Sequence, residues 1–215
     1  MMKNIKKIGL VLFSSILLTS CVVGRKVKYN DLKLDLYDVK TQNIDLALLD
    51  HREAVTDGSR KPDFVGYMRS NVGIAYPITT ESKDSFMNDL SNNIINSLSR
   101  YDIKATNLST KWHDDEKTVK AELLSQTGDK KILLVFDQLN TDGYMIQFLY
   151  SKINLYVYDK EGVLLKYKFF EQKEKLGGNV AFGAGDFKTY MPEAMKKLFE
   201  NIFKDKEVIE AINKS

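Results

Sequence analysis

The sequence has 215 residues, with 32 Lys and Arg against 29 Asp and Glu, a formal net charge of +3 at pH 7 and a pI near 8.7. Hydrophobic residues make up 43% of the chain, which is enough for a packed core, and three prolines leave no Pro-rich linker. Because Cys21 is the single cysteine, an internal disulfide bond is excluded.

The amino-terminal segment combines a basic leader with an apolar run. Three lysines precede the apolar residues 8–18, a run shorter than the roughly 20 residues that span a bilayer but typical of a signal peptide. The run ends in Leu18-Thr19-Ser20-Cys21, which resembles the bacterial lipobox. The resemblance implies cleavage before Cys21 and attachment of diacylglycerol to that residue. The alternatives are an ordinary secretory signal with an unrelated cysteine and, less favoured, a membrane-spanning anchor.

The lipobox sets the predicted boundaries: residues 1–20 are a signal peptide, 21–30 a lipidated tether and 31–215 one domain. Removal of the signal peptide leaves 29 basic and 29 acidic residues, so the mature chain has no net charge. The neutral charge of the mature chain therefore argues against a nucleic-acid partner, because phosphate binding needs a basic surface. The expected partner is the membrane, reached through the lipid on Cys21, together with a possible protein partner in the envelope.

The residues next to Cys21 bear on the location. Arg25, Lys26 and Lys28 predict a solvated tether with some attraction to anionic headgroups. Val22 is not the aspartate that resembles an inner-membrane retention signal, so we expect the outer membrane, facing the periplasm. The outer face of a Gram-positive cell membrane is the alternative.

Hydrophobic periodicity predicts strands first and then a helix. Alternation over residues 32–37 and again over residues 44–48 predicts two strands, and a polar loop precedes the short apolar stretch 64–68. From Ser82 the period changes, and apolar residues recur every four positions, at Phe86, Leu90, Ile94 and Leu98. This spacing predicts an amphipathic helix whose Asn and Asp residues, including Asp89 and Asn93, lie on its other faces.

The second half of the chain predicts a strand at 103–108 and a helix that begins at Asp114-Asp115-Glu116, where three acidic residues suit the positive end of the helix dipole. The continuous apolar run 131–136 predicts a central strand that is covered on both faces. Residues 144–158 and 163–169, joined by the turn 159–162, predict a long β-hairpin.

The carboxyl-terminal region begins with a glycine-rich loop over residues 177–185. Pro192 suits the first turn of a helix, and the helix presents an apolar stripe of Met195, Leu198, Phe199, Ile202 and Phe203. Together these elements predict a single α+β domain, with a mixed, mostly antiparallel sheet and a long hairpin covered by amphipathic helices.

The long strand 144–158 is apolar on both faces. Tyr144, Phe148, Tyr150, Tyr156 and Tyr158 share one face, and the other carries Met145, Leu149, Ile153, Leu155 and Val157. We expect helices to cover both faces. The alternative is a partner surface, because tyrosine is enriched at interfaces.

Several of these segments together resemble a bacterial family. The order of elements, with Asp-His-Arg at 50–52, KILLVFDQLN and INLYVYDKEGVLLKYKF, is similar to the YajG-type lipoproteins, the curli-secretion lipoprotein CsgG and the amino-terminal domain of TolB. The similarity spans most of residues 43–203. It implies a non-enzymatic envelope protein that assembles or binds partners, and it supplies no catalytic residues.

The candidate chemical sites are few. Asp50, His51 and Arg52 could serve an envelope enzyme, with His51 as general base, although such a run is more often a charged strand end. His113 could bind a metal with Asp114 and Asp115, but adjacent residues seldom chelate one ion and the helix start already explains these acidic residues.

Common catalytic motifs are missing from the sequence. It contains no Gly-x-Ser-x-Gly, P-loop or dinucleotide fingerprint, and Gly183 and Gly185 are at most a small ligand-binding nest. We therefore expect a non-catalytic, membrane-anchored binding or assembly accessory, without cofactor or metal. An enzyme built on Asp50, His51 and Arg52 is the alternative.

Overall fold

The structure is a computed structural model that describes residues 25–29, 31–70, 72–144, 146–178 and 184–214. The predicted signal peptide, Cys21 and Gly183 lie outside these ranges. The strands of the sheet are β1 (Arg25–Val27), β2 (Asn43–Asp50), β3 (Phe64–Arg69), β4 (Ala75–Thr80), β5 (Lys104–Leu108), β6 (Lys130–Asp142), β7 (Ile146–Asp159) and β8 (Leu164–Gly178). The helices are α1 (Glu53–Thr56), α2 (Phe86–Ser99), α3 (Glu116–Leu124), α4 (Ala184–Phe203) and α5 (Lys206–Asn213).

Strand β6 organises the sheet. On one side it pairs antiparallel with β7, which continues into β8, and on the other it pairs parallel with β2 over residues 130–136. Farther along the same edge, past the end of β2, β6 pairs with β3 at the single pair Gly66 and Thr141. The sheet therefore forks at β6: one branch is β2 and β5, paired in parallel, and the other is β3, β4 and β1.

Gly66 permits the close approach of strands at this fork. Its φ is +152°, and a Cβ atom there would lie 2.2 Å from the carbonyl oxygen of Thr141. A side chain at this position would clash with backbone, so β3 and β6 can meet only because residue 66 is a glycine.

Two apolar cores lie on the two faces of the sheet. The larger is formed by the sheet with α2, α4 and α5, and the smaller lies under α3, where Val119 and Leu123 pack against β2 and β6. Residues 130–136 of β6 are buried throughout, which confirms the predicted central strand with two covered faces. Together these layers form the predicted α+β domain.

The predicted strand at 32–37 is wrong, although its alternation is correct. Leu32, Leu34 and Leu36 are buried, yet the segment pairs with no strand in the described part of the chain. Side chains satisfy its backbone instead: the N–H of Leu32 donates to Asn93 Oδ1 at 2.7 Å, and that of Leu34 to Ser97 Oγ at 3.0 Å. Asn93 is therefore buried rather than exposed on another face of its helix.

Two boundaries also differ from the sequence prediction, and two elements were not predicted. Arg25–Val27 forms β1, and Val27 and Tyr29 are buried, so the predicted tether of 21–30 is too long. Pro192 lies inside α4 rather than in its first turn, because the helix already begins at Ala184. Helix α1 and strand β4 are additional elements that hydrophobic periodicity did not indicate.

The helices do not cover both faces of the long hairpin. Leu149, Ile153 and Leu155 belong to the larger core, as expected. On the opposite face α3 reaches the distal part, where Lys120 lies 5.1 Å from the Tyr158 ring, but Tyr167 and Phe169 of β8 remain 48% and 44% exposed. Met145, predicted on the same face as Leu149, is outside the described ranges.

Candidate functional site

Asp50 and Arg52 form a buried ion pair at the end of β2. Arg52 Nε donates to Asp50 Oδ1 and Arg52 Nη2 to Asp50 Oδ2, both at 2.7 Å, and each residue is 4% exposed. The two parallel hydrogen bonds use the fork of the guanidinium group against both carboxylate oxygens.

The other contacts of Arg52 tie together distant parts of the chain. Its Nη1 donates to the carbonyl oxygens of Phe64 at 2.6 Å and Leu139 at 3.2 Å, and its guanidinium lies 5.3 Å from the Phe86 ring. Arg52 therefore links the end of β2 to β3, β6 and α2. This arrangement is that of a structural clamp whose hydrogen-bonding groups are engaged within the protein.

Asp50 also lines a cleft outside the carboxyl ends of β2 and β5, which we call the Asp50 cleft. Its volume is about 290 Å³. Trp112 and His113, whose rings meet edge-on at 5.2 Å, form part of its wall beside Lys111. Ligands of open parallel sheets bind outside the carboxyl ends of the strands, so this cleft is the candidate small-molecule site.

Arg52 lines a different cleft, of about 360 Å³, together with Tyr67, Asp137 and Asn140. His51 lines neither cleft; its backbone N–H donates to the Phe136 carbonyl at 3.0 Å. The three residues of the candidate catalytic run are therefore not brought together in one cavity.

The acidic residues near His113 have local structural roles. Asp114 Oδ2 accepts from the backbone N–H of Lys111 at 2.7 Å, and Asp115 caps α3 by accepting from the N–H of Thr118 at 3.0 Å. Hydrogen bonds from Thr118 lower the pKa of Asp115. Among the described residues no group of three or more His, Cys, Asp and Glu is placed to hold a metal ion.

The proposed glycine nest falls mostly outside the described residues. Gly183 is not described, and Gly185 lies in the first turn of α4. A helical backbone at Gly185 differs from the loop that the sequence predicted.

A second surface lies at one edge of the molecule, which we call the β1 end. Parallel pairing of β1 with β4 places the start of β1 near the turn 70–74, and the Gly66–Thr141 pair places the end of β3 beside the end of β6. The start of β7 and the end of β8 meet there too, at the pair Ile146 and Gly178.

The β1 end exposes apolar side chains. Val72 is 80% exposed, Ile74 53% and Tyr144 48%. The sequence pattern indicated Tyr144, on the aromatic face of the long strand, but not Val72 or Ile74, because exposed apolar residues in a turn carry no periodicity. Of the residues that line the Asp50 cleft, Asp50 and His113 were candidates from the sequence, but Lys111 and Trp112 were missed, although their position shortly after a strand of a parallel sheet could have indicated them.

Comparisons with known proteins bear on the fold. No protein-family model matches the sequence, and no curated protein matches it. Among solved structures, the chain is similar to protein XCC0632 from Xanthomonas campestris, of the family DUF330, with a TM-score of 0.50 and 7% identity over 84% of this chain and 89% of that chain. This similarity agrees with the α+β fold.

Two further structures match less well. Hypothetical protein CT253 from Chlamydia trachomatis has a TM-score of 0.45 and 11% identity, over 80% of this chain and 98% of that chain. Lipoprotein GNA1162 from Neisseria meningitidis has a TM-score of 0.35 and 9% identity, over 74% of this chain and 99% of that chain.

Proposed function

We propose that this chain is a lipid-anchored envelope protein without catalytic activity, which acts as a binding or assembly accessory at the periplasmic face of the outer membrane. The proposal rests on Leu18-Thr19-Ser20-Cys21, followed four residues later by the first strand of the folded domain. A lipid on Cys21 would leave the domain outside the bilayer. No helix of the described residues has the length and apolar character needed to cross a membrane.

The absence of catalysis is inferred from Asp50 and Arg52. Their polar groups are engaged with each other and with backbone carbonyls, so neither is placed to act as a free acid or base. His51 is half-exposed and lines neither cleft. These contacts favour the accessory role over an enzyme built on the three residues.

Palmitate labelling tests the lipid anchor. The full chain, expressed in a Gram-negative host, should incorporate labelled palmitate and require detergent for release from membranes. Cys21→Ser should abolish the label and leave the signal peptide uncleaved at that position. Ser20→Ala is the matched control, because it keeps a small residue in the lipobox and should be labelled normally. Palmitate on the Cys21→Ser chain, or none on the natural chain, would refute the proposal.

Membrane fractionation tests the location. The natural chain should sediment with the outer membrane in a density gradient, and Val22→Asp should move it to the inner membrane in an enteric host. An inner-membrane position for the natural chain would contradict the predicted location without affecting the lipid anchor itself.

A further inference from the structure

We propose that the β1 end of the domain lies against the phospholipid bilayer, with Val72 and Ile74 inserted at the boundary between headgroups and acyl chains. The inference rests on the proposed lipid anchor at Cys21 and deepens it, because it assigns the orientation of the domain and the residues that touch lipid.

The length of chain between Cys21 and β1 limits the position of the domain. Four residue steps separate Cys21 from Arg25, and an extended chain spans at most about 3.6 Å per residue, so the lipid lies within roughly 14 Å of the start of β1. Because β1 and β4 are parallel, with Arg25 beside Ile78, the chain enters the fold from the side of the turn 70–74. That turn is therefore brought close to the membrane surface.

The turn 70–74 is built to present apolar side chains. The N–H of Ser70 donates to the Ile74 carbonyl at 2.8 Å, and the N–H of Gly73 donates to the Ser70 carbonyl at 2.9 Å. The N–H of Ile74 also donates to Ser70 Oγ at 3.1 Å. Since unsatisfied backbone groups are costly in lipid, these internal bonds suit a turn that enters the headgroup boundary.

Basic and aromatic residues lie on the strands and turns that meet at the β1 end. Lys26, Lys173 and Lys175 are exposed, and cations near a membrane are attracted to anionic headgroups. Tyr144 is 48% exposed at the neighbouring β6–β7 turn, and tyrosine is enriched where membranes meet water. The composition of the β1 end therefore matches a bilayer interface.

The opposite end of the hairpin provides the internal control. The turn between β7 and β8 also exposes apolar side chains, Val163 at 58% and Leu164 at 48%. It lies the length of the 14-residue strand β7 away, about 45 Å at 3.2–3.4 Å per residue. Apolar exposure alone does not distinguish the two ends; the position of the anchor does.

Site-specific fluorescence on the lipidated full chain tests the orientation. Once Cys21 is acylated, Val72→Cys and Val163→Cys each carry a single reactive thiol, which takes an environment-sensitive nitrobenzoxadiazole label. Both positions are more than half exposed, so both variants should fold. The proteins are reconstituted into vesicles of phosphatidylcholine and phosphatidylglycerol, with and without nitroxide-labelled acyl chains.

The label at residue 72 should show blue-shifted emission and lose about half or more of its fluorescence to the nitroxide lipids, as expected for insertion to the acyl boundary. The label at residue 163 should show neither change. Equal, water-like emission at both positions, with diacylglycerol on Cys21 confirmed by mass spectrometry, would overturn the orientation and leave the lipoprotein proposal intact. An unmodified Cys21 would overturn both.

Discussion

At the scale of single residues, the Asp50–Arg52 pair connects the end of β2 to three other parts of the fold. Removing one member of a buried ion pair leaves the other charge without compensation, which typically costs about 3–5 kcal/mol. The pair therefore matters for stability because the loss of either residue would leave the other buried and unpaired. This holds even if a hydrophobic pair of the same volume would be more stable.

Arg52→Leu should lower the free energy of unfolding by about 3–5 kcal/mol, because Asp50 would be left buried and unpaired. Urea denaturation of the detergent-solubilised protein at pH 7 measures the change. Arg60→Leu is the control: Arg60 is exposed, its Nε donates to Tyr67 Oη at 2.9 Å and its guanidinium lies over the Phe64 and Tyr67 rings, so the loss of these surface contacts should cost about 1 kcal/mol or less. Equal effects of the two substitutions would refute the clamp.

Tyr29→Phe should stabilise the protein by about 1 kcal/mol or more. The Tyr29 hydroxyl is buried and has no hydrogen-bond partner among the described residues, and burial raises its pKa. A buried unsatisfied hydroxyl costs about 1–3 kcal/mol, whereas the Tyr101 hydroxyl donates to Asp35 at 3.0 Å. Tyr101→Phe should therefore destabilise, and thermal melting of the two variants should shift in opposite directions.

The run Asp50, His51 and Arg52 was predicted from the sequence as one candidate site, but the sequence could not show how their side chains are oriented. Asp50 and Arg52 are two residues apart on an extended segment, which places them on the same side, and they pair with each other. The lining of the Asp50 cleft depends on contacts between β2, β5 and α2, which are distant in sequence. Local patterns do not contain that information.

At the scale of elements, α4 and α5 hold the long hairpin against the rest of the sheet. Phe199 on α4 is 1% exposed, and its ring lies 6.2 Å from that of Phe136 on β6. The apolar stripe predicted from the sequence is the buried face of the helix. The prediction succeeds because a period of 3.6 residues can be recognised without knowing which element the helix packs against.

Phe199→Ala should lower the free energy of unfolding by about 3–5 kcal/mol, the usual cost of deleting a buried phenylalanine side chain. Phe169→Ala is the matched control, because Phe169 is 44% exposed and its deletion leaves no cavity in the core. Thermal melting compares the two. An unchanged melting curve for Phe199→Ala would show that the helix does not stabilise the sheet.

Glu207→Gln should destabilise the protein at pH 7, and the effect should shrink steadily as the pH falls towards 2. Hydrogen bonds and charges from Lys168 and Lys166 lower the pKa of Glu207 to about 2 from its usual 4.5. The ion pairs therefore stabilise the folded state above pH 4.5, and their contribution is lost as the pH falls from about 4.5 to 2. Melting temperatures across this range measure the loss, with Glu210→Gln, exposed on the same helix, as control.

The failed strand at 32–37 shows why periodicity locates burial better than it assigns secondary structure. Alternation placed Leu32, Leu34 and Leu36 correctly in the core. A strand also needs a neighbour to supply hydrogen bonds, and here Asn93 and Ser97 of α2 supply them. Which partner satisfies a backbone depends on tertiary packing and could not be read from the alternation.

At the scale of the whole molecule, β6 belongs to both apolar cores. Leu134 and Phe136 lie in the larger core, and Leu133 and Val135 lie in the smaller. Neither core can lose β6 without disrupting the other, so the described domain should unfold as one unit.

The α+β class was predictable because it follows from local periodicity, but the fork was not, since it depends on Gly66 meeting Thr141 from a distant strand.

Unfolding in urea should show one transition by two probes. Trp112 is the single tryptophan and lies by the Asp50 cleft, so its fluorescence reports local structure, while far-ultraviolet circular dichroism reports all helices and strands. The midpoints should coincide. Trp112→Phe, measured by circular dichroism alone, checks that the probe does not itself set the stability. Separate midpoints would mean that the cores unfold independently.

The long strand β8 pairs only with β7 in the described sheet, so its other edge is open to a second copy. Domains anchored in one membrane at the same end share one orientation along its normal. Edge-to-edge association about a twofold axis along that normal would align two β8 strands in parallel rather than antiparallel. Strand β8 carries Lys166, Lys168, Lys173 and Lys175, and lysine residues on an edge strand oppose its pairing with another chain. The lysines of β8 therefore oppose sheet extension in the geometry that crowding in a membrane would otherwise favour.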